Sequence, residues 1–470
     1  LTDCTASRTI WYYKDEEIFI ASSSQRAILR LIGGYQPNLQ AHIWMLSSGC
    51  IGPGLSWDER IKQLGPDSKF ILNRETWHTH IYSSPVEFIP KIFDEVEARK
   101  EFNNRIKLLF ERADFDIYNW VLPLSGGQDS RLILHSLSNN KKSIKTITWG
   151  TSYALKQDLN DASVAVKVAD YYDVKHSYYL LDINKNTLIS DLDRFIIASE
   201  GRVDRFSGYS DGLKLWKNLF LNGEHGFIRG DQPFTTYKDK TEEQCRKRQG
   251  IWLVKDFLNL SHLMRKHDMS YHLQCLPEDL KRKRNETIFA WNDRLYHSFE
   301  ISNIFSALNE IKCQYLESFS PPLTRDFVHF MRSIDDKIRN KQQIYKDIKI
   351  KMKNASPYAN WNSIEGISDI LKNDVIDKIC DGIISTNDNG LFPKEIPMEI
   401  NKNLHKELYP SHCFIESLVT KINRRAMNLL RNLGRPNINY RLLGLRIYII
   451  LRTHNILKFD SENNNDLHEV

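Results

Sequence analysis

The feature that most restricts how this chain can fold is one junction, Val121-Leu-Pro-Leu124-Ser125-Gly126-Gly127-Gln128-Asp129-Ser130-Arg131. A short apolar run, Ile117–Leu124, meets two adjacent glycines and gives way to Arg131–Leu137, which has helix character. Such a turn is also an anion trap. Glycines let backbone amides come close to an oxyanion, and the start of a helix adds the positive end of its dipole. Ser125 and Ser130 can donate hydroxyls to phosphate oxygens, and Asp129 supplies a hard oxygen suited to Mg²⁺. In a parallel sheet this loop falls at the carboxyl end of its strand, where such sheets bind ligands. It is neither a Walker A loop, because the GK[ST] ending is missing, nor a GxGxxG turn.

The flanking sequence alternates accordingly. Ile144–Trp149 is a second apolar run, and Asn160–Tyr172 has helical spacing at Val164, Val168 and Tyr171. Val174–Leu181 is strand-like, and Leu219–Ile228 contains a fourth candidate strand. This order predicts an α/β fold on a parallel, doubly wound sheet. Beyond about residue 250 the chain reads as mostly helical, ending in amphipathic stretches at Ile415–Leu433 and Tyr440–Leu457 and a polar tail, 461–470, expected to be disordered. Residues 1–84 read as β-rich. A hairpin is expected from Ile10–Tyr13 and Ile18–Ala21, a short helix over Gln25–Ile32 stopped by Gly33-Gly34, and strands at Phe70–Asn73 and Thr79–Tyr82. Between these regions, 85–115 is expected to be a linker helix with an apolar face at Val86, Ile89, Phe93, Val96, Phe102, Ile106 and Leu109. The large unit then spans 116–460.

Composition excludes several classes. With 41% hydrophobic residues, 470 residues can build real cores. No run of about 18 apolar residues suggests a membrane span. The start has neither the basic nor the apolar part of a signal peptide, and the missing initiator Met points to residues upstream. Seven cysteines lie scattered without a CxxC pair, which fits reduced thiols and a cytoplasmic protein. The net charge of +6 is mild, and the basic clusters at Lys281–Arg284 and along Lys421–Arg452 match no nucleic-acid motif. Neither nucleic acid nor membrane is therefore expected as a partner.

The junction resembles the SGGxDS signature of the ATP pyrophosphatases, and specifically the asparagine-synthetase-like amide ligases. Asn160-Asp161-Ala162, followed by Ala165, Ala169 and His176-Ser-Tyr-Tyr, is similar to the helix and third strand of that family. Phe227-Ile-Arg229-Gly230-Asp231-Gln232-Pro-Phe234 falls where the family has Gly-x-x-Asp-Glu-Leu-Phe. Asp231 matches the aspartate, and Gln232 replaces the glutamate. Tyr315-Leu-Glu317-Ser-Phe-Ser-Pro321-Pro322-Leu323 resembles the E-x-R-x-P-F-L-D segment, and Asn340-Lys341-Gln-Gln-Ile344-Tyr345 the K-x-x-L-R stretch after it. The likeness covers residues 116–360.

The resemblance implies an adenine nucleotide alpha hydrolase-like domain that uses ATP and Mg²⁺ to join a carboxylate to an amine through an acyl-adenylate. Ser125, Gly126, Gly127 and Ser130 would hold pyrophosphate, with Leu124 and Gly230 bordering the nucleotide and Trp149 near the adenine. Asp129 and Asp231 would ligate Mg²⁺. Arg131, Arg229 and Lys341 would be the candidate cations for developing charge, and Glu317 would orient the amine or accept its proton. The family's β-lactam branch has a tyrosine where Ile228 stands. Glutamine-dependent members begin with a nucleophilic cysteine, whereas this sequence opens on Leu1 and Cys4 is not terminal. Ile10–Ser23 resembles the second half of their amidotransferase domain, so 1–84 resembles a shortened, degenerate one. The expected activity is amide formation without a glutaminase, such as macrolactam or isopeptide closure in a small peptide. Lasso-peptide macrolactam synthetases are members of that kind, and a precursor-processing protease is an expected partner. The alternatives are a glutamine-dependent asparagine synthetase or amidotransferase whose N-terminus lies upstream, and a non-catalytic scaffold.

Overall fold

The structure is a computed structural model that describes residues 1–112, 117–139, 144–235, 239–346, 349, 352, 354–386, 391–405 and 436–463. Near the start, β1 (Trp11–Lys14) and β2 (Phe19–Ser22) form the expected hairpin, and β3 (Lys62–Gln63) pairs with the other edge of β1. β4 (Ser68–Leu72) and β5 (Thr79–Ser83) make a separate antiparallel pair. Between β2 and β3 lie two helices. α1 (Gln25–Ile32) starts at a Ser24 cap and stops at Gly33, whose φ of +64° is in the region that favours glycine. α2 (Leu39–Ser48) starts at an Asn38 cap and was not expected. It is buried continuously from Ala41 to Ser48, so it carries no polar stripe from which a helical period could be read.

The linker helix is shorter than expected. α3 (Glu95–Arg112) begins only after Pro85 and Pro90, which interrupt the earlier stretch. Its core face is Ala98, Phe102, Ile106 and Phe110, while Ile89, Phe93 and Val96 are exposed.

Beyond it the chain alternates as predicted, with β6 (Trp120–Pro123), α4 (Gln128–Asn139), β7 (Lys145–Gly150), α5 (Asp161–Tyr171) and β8 (His176–Leu180), then α6 (Leu188–Ser199), α7 (Lys214–Leu221) and β9 (Gly226–Ile228). The fourth strand is thus only three residues long, because Leu219–Leu221 belong to α7. β10 (Glu317–Phe319) follows a long helical passage over 288–313, whose middle, Tyr296–Phe305, is π-helical. The five strands β6–β10 form one parallel sheet in the order β10-β9-β6-β7-β8. The chain leaves β6 toward β7 and β8 on one side, then returns to place β9 and β10 on the other. The β6/β9 border is therefore the topological switch point, where a crevice opens beyond the carboxyl ends of the strands.

Alternate residues along these strands feed two cores. Leu122 and Ile228 face α3, α4 and α5, packing with Phe102, Leu132, Ile133, Val164 and Val168. Val121, Ile147 and Phe227 face the other way, toward Phe195, Trp216 and Trp291. That second core also takes in Trp11, Ile28, Leu29 and Trp44 from the first 64 residues, and Leu443, Ile450 and Leu457 from the last described helix, Tyr440–Glu462. Arg446 ties this helix inward through Asp204 at 2.8 Å and the carbonyls of Leu46 and Ser47. The helix runs through Glu462, past the expected start of the tail. Residues 464–470 and the stretch Ile415–Leu433 lie outside the described residues. No described helix is long and apolar enough to cross a membrane. Six cysteines lie among the described residues, all of them free.

Candidate functional site

The loop after β6 is held by its own side chains. The Leu124 amide donates to the Ile147 carbonyl, which extends the β6–β7 ladder to the lip of the turn. The Ser130 hydroxyl, in the first turn of α4, accepts from the Ser125 amide at 3.0 Å and lies 3.1 Å from the Ser125 hydroxyl. The Gly127 amide donates to Ser125 Oγ at 3.2 Å, and the Gly126 amide to Asp161 Oδ1 at 3.0 Å. The two serines thus draw the loop into a tight ring, and a carboxylate from the start of α5 sits against an amide that could serve a phosphate oxygen.

Gly230, two residues past the end of β9, explains how the second half of the site reaches the first. A Cβ there would lie 2.7–2.9 Å from backbone atoms of Asp129 and Ser130. Only a glycine lets this strand end press onto the first turn of α4. The contact brings Asp129 and Asp231 to the same small space, about 10 Å³, which also has Phe102, Gln232, Pro322 and Tyr345 on its walls. That space is about the size of one water-sized sphere.

The electrostatics are those of two carboxylates forced together. Burial pushes the Asp129 carboxyl up to about 7; the Asp231 charge pushes the same way, while the Gln232 amide, donating to Asp129 Oδ2 at 2.8 Å, pulls it down. Arg229 pairs with Asp231 Oδ1 at 2.6 Å and is held at its other end by Asn309 Oδ1. Asp231 Oδ2 is buried without a partner. An orphaned carboxylate oxygen beside a second carboxylate is a donor set that fits a divalent cation completed by phosphate oxygens, since Mg²⁺ takes one or two protein carboxylates in such sites. Two lysines lie within electrostatic reach as well. Lys312 is buried over the Trp216 and Phe227 rings; burial and the Arg229 charge push its ammonium well below the ordinary lysine range, and the Asp231 charge pulls it back up. The charge of Lys349 lowers the Asp129 carboxyl.

Several expected residues belong elsewhere. Glu317 is exposed, and it is the first residue of β10, level with Gly226 and Trp120 at the amino ends of their strands. It therefore stands at the edge of the sheet opposite the loop and is not a carboxylate of this site. Lys341 is an exposed residue ending the short helix Asp336–Asn340, and the lysine whose charge acts on Asp129 is Lys349 instead. The nearby lysines are Lys312 and Lys349, which no motif had marked. Arg131 is buried and committed to the carbonyls of Ser356, Gly126 and Pro357, with its guanidinium 4.6 Å from the Tyr358 ring centre. It fastens the loop rather than facing a ligand. Trp149 packs edge-on against Trp216 at 5.4 Å, and its carbonyl accepts from Ser363 Oγ.

Residues 356–363 form a strap across the ends of β6 and β7. The Ala359 amide donates to the Gly126 carbonyl, the Thr151 amide to the Ser363 carbonyl, and the Asp161 amide to the Trp361 carbonyl. The basic run Lys281–Lys283 is charge-paired with Glu278, Glu242 and Glu87. A cavity of about 700 Å³ lies away from the loop, lined by residues including Arg8, Arg26, Arg30, Glu200 and Cys313. Its Arg26 pairs with Asp460, and its Glu200 caps the start of α1. No protein-family model matches the chain, and no curated protein matches it.

Proposed function

We propose that this chain is an ATP-dependent, AMP-forming amide ligase of the adenine nucleotide alpha hydrolase-like fold. The observation that carries this reading is the meeting of Ser125–Ser130 with Gly230–Asp231 at the switch point, with Asp129 and Asp231 in one small space. A carboxylate is a poor electrophile. Attack of its oxygen on the α-phosphorus of ATP releases pyrophosphate and leaves an acyl-adenylate; an amine then forms the C–N bond as the C–O bond to AMP breaks. The protein's part is positioning and neutralisation of charge. The Ser125 and Ser130 hydroxyls and the amides of Gly126 and Gly127 would bind the leaving pyrophosphate. Asp129 and Asp231 would hold Mg²⁺, which supplies neutralisation of the phosphate charge. Arg229 and Lys349 add positive charge around the same phosphates, and Lys312 is an amine whose charged form a bound phosphate would favour.

Cys4 does not suit the role of a glutaminase nucleophile. Burial pushes its thiol up to about 11, and its sulfur lies against the Leu323 carbonyl. A substrate carrying both a carboxylate and an amine, as in macrolactam or isopeptide closure of a small peptide, needs no ammonia channel and accords with a cytoplasmic enzyme working beside a precursor protease. The tightness of the crevice favours a second reading, a scaffold that kept the fold without catalysis. Isotope exchange between pyrophosphate and ATP in the presence of candidate carboxylates decides between them. Carboxylate-dependent exchange supports the ligase, and no binding of ATP·Mg²⁺ at all supports the scaffold.

A further inference from the structure

The charged groups of the crevice are answered from within the chain, and not equally. The Gly126 amide has Asp161, and Asp129 has the Gln232 amide. Asp231 has Arg229 on one oxygen and nothing on the other. Two carboxylates thus share one small space, and the guanidinium is paired with Asp231. The main chain cannot adjust, because Gly230 is already pressed onto Asp129 and Ser130. The guanidinium is the movable part. The Arg229 side chain is 18% exposed against 6% for Asp231, so it approaches the pair from the outer side. Its anchors there are the Asn309 side chain and the Phe305 ring, 5.7 Å from its centre.

We propose that Arg229 is a transferable counter-cation, shared between Asp231 and a phosphate oxygen, that keeps the protein's affinity for a bare divalent cation low until a polyphosphate arrives with it. A metal ion taking both Asp231 oxygens displaces the guanidinium, which is costly unless an anion receives it; a phosphate beside the metal does so. Metal and polyphosphate therefore bind with positive coupling, and Arg229 is the residue through which they couple. This rests on the function proposed above.

The test is a titration of the full chain with Mn²⁺, followed by electron paramagnetic resonance of the free ion, with and without pyrophosphate. R229Q is expected to bind Mn²⁺ alone about tenfold tighter than the unaltered protein, one pK unit's worth of coupling. The enhancement that pyrophosphate brings should shrink by the same factor. Should R229Q fold poorly by circular dichroism, R229K serves instead. Its compact ammonium keeps the charge but lacks the two-pronged reach of the guanidinium toward Asp231 and Asn309, so a smaller gain in the same direction is expected. Equal Mn²⁺ affinity in the variant and the unaltered protein, with pyrophosphate still enhancing both, overturns the role of Arg229 and leaves the ligase reading standing. Absence of Mn²⁺ binding to the unaltered protein with either pyrophosphate or ATP overturns the ligase reading, and the counter-cation with it.

Discussion

The two edges of the central sheet differ in how their charges are answered. At the amino edge, Lys145 pairs with Glu224 one to one, Glu317 faces solvent, and the His225 amide closes onto the Asn119 carbonyl. Glu224 also keeps one oxygen without a partner, beside the ammonium of Lys145. At the carboxyl edge two carboxylates share one small space, Asp231 is paired with a guanidinium, and Lys349 acts on Asp129 and Lys312 on Asp231 without an ion pair among the described residues. A chain that needed only stability would gain little from that arrangement, since burying like charges together raises the cost of each. The difference teaches that an unpaired charge in itself is a weak marker of a site. Convergence of several mismatched charges at a switch point is a stronger one.

The contrast can be broken most decisively at Asp129. Asp129→Asn keeps the shape and the Gln232 contact region but removes an oxygen proposed to bind the metal; AMP formation is expected to fall by on the order of a thousandfold or more, with an unchanged circular dichroism spectrum. A fully active variant would take Asp129 out of the mechanism. Gly230→Ala comes next. Its methyl group must push apart the two backbones that unite the site, so a loss of about 1–3 kcal/mol of stability, read by urea denaturation, should accompany a loss of AMP formation. Lys349→Met sharpens the comparison, because it removes positive charge from the carboxyl edge alone. A drop of about tenfold in AMP formation is expected, and an unchanged rate would show that Lys349 only stabilises. The smallest effect belongs to the amino edge. Glu317→Gln should alter AMP formation by less than about twofold, as surface substitutions away from special features usually do. A large loss there would erase the distinction between the edges.

What could be read from residues alone follows from which forces act locally. The β6 junction was legible because apolar run, paired glycines and helix are consecutive, and the hairpin at β1–β2 because a polar turn separates two short runs. α2 was hidden because burial on all sides removes the alternation that reveals a helix. The start of α3 was misplaced because Ile89 and Phe93 fit the spacing of a helical face, although two prolines stood in the way. Glu317 misled for a different reason. Linear order along a motif says nothing about which end of a strand a residue occupies, and β10 is so short that its first residue already lies at the far edge. Lys312 and Lys349 became visible only when helices distant in sequence brought them near Asp129 and Asp231.

The union of the first 64 residues with the helix Tyr440–Glu462 has a consequence for biogenesis. Ile28 and Trp44 lie on helices that pack against Tyr440–Glu462, a segment that the ribosome adds much later. At about 5–20 residues per second, the early segment waits on the order of half a minute for its partner to be made. During that interval Ile28 and Trp44 lack their final cover, so nascent-chain protection by a holding chaperone would matter more for this protein than for one whose early segments pack only against near neighbours in sequence.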